Sequence, residues 1–324
     1  MATFLGELAK KLAERWLTLL VVPGMLWVAT ATTSVILGYD HWADPRRLTD
    51  ELSRSLSGVR QPAEVGAFVV GVLLSAATAS LAAQALGTVI GHLWLAEWPA
   101  VLGRVDKRLT EGRRRTWDGT QQKIMKAAAA ADRARLALAR ARLDSSTTEI
   151  RNTPLRELER EWECAVRHKD LLVARRDRMC VARPSRPTWI SDRITAAQTR
   201  IVNEYGLDLA VTWPRLWLTL PDPARTEVTH ARETLDRAYT LTGWGLLYFS
   251  LGFLWWPASI IGTVTCLTGW WRARSATSDL ATIVEAAVDL YGIGLATALS
   301  MKTADDRLAV EIGRQITVRF RKGG

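Results

Sequence analysis

Long uncharged stretches alternate along this chain with long charged ones. Trp16 to Gly38, Val65 to Ala96 and Ala238 to Trp271 contain no Asp, Glu, Lys or Arg. A hydrocarbon core about 30 Å thick takes roughly 20 apolar residues as a helix, so the first two stretches each read as one membrane span. A secretory signal peptide is the rival reading of the first, but such apolar regions run to only about 7–15 residues. The third stretch would reach roughly 50 Å as one straight helix. Pro257 divides it, because proline biases Trp256 away from helical geometry and suits the first turn of a new helix. Two short spans joined by an outward turn at Trp255 and Trp256 are predicted, with a single kinked span as the alternative.

The second stretch is crowded with Gly, Ala, Ser and Thr. Small residues let helix backbones approach closely in lipid, so Gly87 and Gly91, a GxxxG pair, are candidate helix-packing positions. Gln84 is polar at depth and is expected to hydrogen-bond to a neighbouring helix.

The polar blocks also read as helical. "RRRTWDGTQQKIMKAAAAADRARLALARARL" consists largely of strong helix formers, and "DSSTTEIRNTP" interrupts it. Thr153 and Pro154 then read as an N-cap and first helical position. Leu155, Leu158, Trp162, Ala165 and Leu172 follow at three- and four-residue spacing. An antiparallel helical hairpin is predicted, with the run Ala127 to Ala131 allowing close approach. A further helix places Ile194, Ala197, Ile201 and Tyr205 on one face and stops at Gly206. Trp213, Pro214, Arg215 and Trp217 form an amphipathic elbow, set against the membrane surface or against the core of the soluble part. Asp222-Pro223 starts the next helix.

Towards the C-terminus, Thr282, Glu285, Asp289 and Gly292 make one polar face at helical spacing. A cytosolic amphipathic helix packed on the base of the membrane hairpin is expected there. The alternative is a fifth span in which Glu285 and Asp289, with Gln84, line an ion path.

Charge sets the topology. The chain has 324 residues and a formal charge of +10. Residues 98–237 carry 28 Lys and Arg against 19 Asp and Glu, whereas the 38–65 loop carries four against five. The positive-inside rule therefore places the large basic block and both termini in the cytosol. Lys10, Lys11 and Arg15 agree, as do Arg272 and Arg274 after the hairpin. Tryptophan is abundant, 15 residues against five Phe and five Tyr, which suits rings placed at the membrane–water boundary. The expected fold class is all-α: an integral membrane protein of four transmembrane helices with a cytosolic helical, coiled-coil region. Its divisions are a transmembrane pair (1–97), a basic helical hairpin (98–186), juxtamembrane helices (187–237), a transmembrane hairpin (238–271) and C-terminal helices (272–324).

Arg113, Arg114 and Arg115 serve as a topology signal on a solvated helix face or, in a sharper reading, contact anionic lipid headgroups. Nucleic acid is not an expected partner, because acids such as Glu157, Glu159, Glu161 and Glu163 alternate with the basic residues. His41, His92, His168 and His230 lack metal-ligand spacing, and Cys164, Cys180 and Cys266 have neither metal nor disulfide spacing. No phosphate-cradling glycine loop or nucleophile elbow is present, so no catalytic residue, metal or cofactor is expected.

"YGLDLAVTWPRLWLTLPDPAR", the preceding "PTWISDR" and the following "GWGLLYFSLGFLWWPASIIG" resemble a group of uncharacterised actinobacterial integral membrane proteins. The resemblance is clearest from about Pro187 to Met301. It implies the membrane architecture and carries no activity, cofactor or catalytic residue. The expected function is that of a non-enzymatic plasma-membrane scaffold or assembly protein. It would act through its cytosolic helices, by self-association or on a protein partner, with an oligomeric channel or transporter as the alternative.

Overall fold

The computed structural model describes residues 21–57, 62–95, 103–145, 152–179, 183–301 and 308–321. Lys10, Lys11, Arg15, the start of the first uncharged stretch, most of the "DSSTTEIRNTP" interruption and Cys180 lie outside the described residues. Within them the chain is helical, with no strand. The helices are α1 (Val22–Leu37), α2 (Pro45–Ser57), α3 (Pro62–Leu95), α4 (Gly103–Ser145), α5 (Asn152–Met179), α6 (Trp189–Tyr205), α7 (Leu209–Thr219), α8 (Asp222–Leu251), α9 (Trp256–Ala298) and α10 (Val310–Phe320). Two of them, α3 and α9, are long and apolar enough to cross a membrane, and α1 is apolar but only 16 residues long.

Two compact units divide the chain. One comprises residues up to Leu93 together with Pro221–Ile283, the other Trp94–Leu220 together with Val284 onward.

The first unit is knit by backbone approach. A Cβ on Gly24 of α1 would run into the Ala76 carbonyl of α3, and one on Gly243 of α8 into the Ala83 carbonyl of α3. In α1 the hydroxyls of Thr30, Thr32, Thr33 and Ser34 each donate to the carbonyl four residues back, at 2.7–3.0 Å. That bond satisfies a hydroxyl without water or a partner helix, which makes it compatible with an apolar setting.

Helices α8 and α9 meet at a turn over Gly252–Trp255, and α9 opens at Trp256 with Pro257 in its first turn. Residue numbers rise along one helix as they fall along the other. Thr242 lies by Gly269, Gly245 by Cys266, Phe249 by Gly262 and Gly252 by Ser259. That order defines an antiparallel pair, so Pro257 marks a reversal rather than a kink. One element differs from expectation. α9 runs unbroken for 43 residues through Arg272 and Arg274, so the C-terminal amphipathic segment continues the hairpin helix. Nothing between Trp271 and Ala281 stops a helix, since that stretch contains neither Pro nor Gly.

In the second unit α4 and α5 pair antiparallel. Gln121 meets Arg176 at 3.1 Å and Arg142 meets Glu159 at 2.7 Å. Ile124, Ala127, Ala131 and Leu138 are buried along α4. A separate apolar cluster joins Ile201, Leu207, Leu209, Leu216, Val288, Leu295, Leu308 and Ile316 from α6, α7, the end of α9 and the α10 region. Gly206 closes α6 at φ 70°, the left-handed cap read from the sequence, and a side chain there would strike the Val310 carbonyl.

Candidate functional site

Helix α4 carries the basic cluster, and the structure divides it. Asp192, 3% exposed, sits in the first turns of α6. Its Oδ1 accepts from the Ser185 N–H at 2.8 Å, the Arg186 N–H at 2.8 Å and the Ser185 hydroxyl at 3.2 Å. Arg113 Nη1 lies 2.7 Å from Asp192 Oδ2 and also donates to the Arg186 carbonyl at 2.7 Å. Arg114 Nε donates to the Pro184 carbonyl at 2.8 Å. Two of the three arginines therefore hold the 183–188 segment against α4. A buried carboxylate is tolerated only when paired and hydrogen-bonded in this way. Arg115 is exposed and pairs with Glu111 one turn back, at 3.3 Å.

The same segment caps the end of α3. Thr188 accepts from the Ser191 N–H at 3.1 Å and donates its hydroxyl to the Trp94 carbonyl at 2.6 Å, while the Ser191 hydroxyl reaches the Leu95 carbonyl at 3.4 Å. The last carbonyls of a helix have no partner within it; here the N-terminus of α6 supplies them.

Beside this node lies a cleft of about 660 Å³. Lys107, Arg108, Arg114 and Arg115 line it, with Asp106, Glu111 and Ser185. Four cations against two carboxylates leave it electropositive. Guanidinium and ammonium groups in that arrangement can donate to phosphate oxygens. No nucleophile paired with a base lines it, and no group of His, Cys, Asp and Glu among the described residues could hold a metal ion.

The other predicted positions are dispersed. Glu285 on α9 accepts from Arg193 at 3.1 Å and Arg200 at 2.6 Å, and Asp289 accepts from the Tyr205 hydroxyl at 2.9 Å. Both carboxylates are thus engaged by α6. The elbow is α7: Trp213 packs on the apolar cluster, and its ring centroid lies 6.0 Å from that of Trp217. The Arg215 guanidinium stands 4.8 Å over the Phe320 ring and donates to the Val211 carbonyl at 2.8 Å. Pro214 is exposed within the helix. Gly87 and Gly91 belong to the other unit, where their bare Cα positions seat the Thr240 backbone and the Tyr239 ring of α8. Gln84 lies on the exposed surface of α3 rather than between helices.

Asp192 is a buried anchor of this node that its sequence context does not single out. Thr188 followed by an acid in the first helical turn is a legible N-terminal signal. Arg113 as its partner is not legible, because no periodicity links positions so far apart in sequence. The described structure is thus that of an all-helical protein with two helices able to cross a membrane. This chain matches no protein-family model, no curated protein and no solved structure.

Proposed function

We propose that this chain is a non-enzymatic, multi-pass plasma-membrane protein that assembles with a second copy of itself through the α4–α5 arm, with both termini in the cytosol. The observation that carries the reading is the outward apolar surface of that arm. A two-helix hairpin buries one stripe of each helix and leaves its remaining apolar side chains facing water. Leu143 is 72% and Leu171 62% exposed, and Met125 and Leu136 are exposed as well. Trp162, Val166 and Leu171 line a shallow groove of about 490 Å³ on α5. The resemblance of residues 187–301 to actinobacterial membrane proteins adds to the membrane part of this reading and nothing to the assembly part.

Cys164 is exposed on α5 and free, which gives a direct test. A short thiol-to-thiol crosslinker applied to native membranes should yield a dimer through Cys164. Leu171→Glu or Leu143→Glu should abolish it without loss of the monomer. Recovery of monomer alone from the unsubstituted protein overturns the reading. A pore lined by Glu285 and Asp289 draws no support, because both carboxylates are engaged by α6.

The basic cleft supports a second contact, with anionic headgroups. Each basic residue near an anionic surface contributes about 1 kcal/mol. Lys107→Gln with Arg108→Gln should lower the affinity of the detergent-solubilised full chain for phosphatidylglycerol and leave its affinity for a neutral lipid unchanged. An affinity that does not respond removes the cleft from the proposal.

A further inference from the structure

We propose that α2 is an interfacial helix, lying in the headgroup layer on the membrane face where the α8–α9 turn emerges, and that helix and turn form one lipid-facing platform. The inference rests on the membrane reading above and concerns only the first unit.

Chain geometry confines α2. Its 13 residues are tied to the end of α1 through residues 38–44 and to the start of α3 through residues 58–61. Connections that short keep the helix close to the face at which α1 ends and α3 begins. Gly38 makes the bend, with φ 61° at the end of α1, and α2 then packs against α1.

Its sequence suits an interface. Leu48, Leu52 and Leu56 recur every fourth residue, and Arg46, Arg47, Asp50, Glu51 and Arg54 occupy the remaining directions. A single apolar stripe on a charged helix is the pattern of a segment lying flat at the headgroup–acyl boundary. Leu52 is exposed. Three arginines against two acids make the helix nearly neutral, so apolar burial rather than charge would hold it there.

Aromatic contacts join α2's approach segment to the hairpin turn. The Trp255 indole N–H donates to the Trp42 carbonyl at 3.0 Å, and the rings of Trp42 and Trp256 lie 5.0 Å apart at 59°. Around this cluster Tyr39, Trp42, Phe253 and Leu254 are exposed, Phe253 at 81%. An apolar turn with indole N–H groups beside it matches the layer where acyl chains give way to headgroups. The lipid boundary, then, is what covers this surface.

Nitroxide depth measurements test it. The full chain, with Cys164→Ser, Cys180→Ser and Cys266→Ala, is reconstituted in phosphatidylcholine vesicles and labelled singly at Leu52→Cys, Asp50→Cys, Phe253→Cys or Leu81→Cys. Oxygen accessibility relative to a water-soluble nickel chelate should be severalfold higher at Leu52 and Phe253 than at Asp50, and highest at Leu81 on α3. With Leu81 deep, a Leu52 label that reads as aqueous, or is shielded from both probes, overturns the platform alone. A Leu81 label that is not deep overturns the membrane reading itself. Replacing part of the lipid with phosphatidylglycerol should leave the depths unchanged, and insertion only into anionic vesicles overturns the apolar mechanism. In the chain with native cysteines, lipids brominated near the headgroup should quench tryptophan emission. Trp42→Phe with Trp255→Phe should reduce the quenched fraction, and no reduction overturns the proposal.

Discussion

Burying a carboxylate as completely as Asp192 is buried succeeds only while it is paired and hydrogen-bonded, and its partners come from two places. Ser185 and Arg186 supply N–H groups from one segment and Arg113 supplies charge from α4. Removing one partner of such a pair strands the other, which costs about 3–5 kcal/mol. Asp192→Ala should therefore lower the stability of the second unit by about that amount in thermal unfolding followed by tryptophan emission. Arg113→Met in the same chain should recover part of the loss, the coupling expected of groups in contact. Two glycines give opposite outcomes. Gly206 combines a positive φ with the Val310 carbonyl where its Cβ would go, so Gly206→Ala should destabilise by more than about 1 kcal/mol. Gly119 lies inside α4 with open space at its Cβ, and Gly119→Ala should stabilise by roughly 0.5–1 kcal/mol. The cap role of Gly206 was legible in the sequence, because a helical apolar stripe ended at it. Asp192 was legible only as a first-turn acid; its burial depends on Arg113, a partner that no local pattern names.

At the scale of elements, α10 is held to the α6–α7 junction by Asp208 and its neighbours. Asp208 accepts from the Ala210 N–H as the cap of α7 and receives Arg321 at 2.8 Å, while the Thr317 hydroxyl donates to the Gly206 carbonyl. The Arg321 guanidinium, aided by the Ala210 N–H, holds the Asp208 carboxyl below its usual range. A carboxyl depressed on folding stabilises fully above its unfolded value of about 3.9. That stabilisation fades as pH falls through the folded value. Asp208→Asn should thus be less stable than the unsubstituted chain by a constant margin above about pH 5. The margin should close on acidification, as read by acid-unfolding midpoints. In the first unit, Gly243→Leu should force α8 away from α3, because the Ala83 carbonyl occupies the space. The detergent-solubilised variant should then unfold at a lower temperature than the unsubstituted chain, as followed by tryptophan emission.

The hairpin turn at Pro257 was legible because proline, paired tryptophans and flanking arginines all marked it. Helix α2 is not legible in the sequence, since its charged residues lie between two dominant apolar runs and suit a connecting loop equally well. The continuity of α9 was missed for a different reason. A change from apolar to mixed composition at Arg272 looks like a boundary, yet a helix ends only where its backbone is stopped.

At the scale of the molecule, the segregation of charge and apolarity announced two kinds of environment, and the described structure has two units. Composition could not foresee that both units are discontinuous in sequence, because hydropathy along a chain carries no information about which distant segments close one core. The second unit's apolar cluster takes Ile201, Leu207, Leu209 and Leu216 from before the α8–α9 hairpin and Val288, Leu295, Leu308 and Ile316 from after it. During synthesis the first set leaves the ribosome long before the second exists. Contacts so far apart in sequence form late and leave apolar surface uncovered in the interval. α6 and α7 thus lack half of their core until the end of α9 and α10 have been made. Truncation after Ile283 would make that interval permanent, and α6 and α7 should become the first sites cut by added protease.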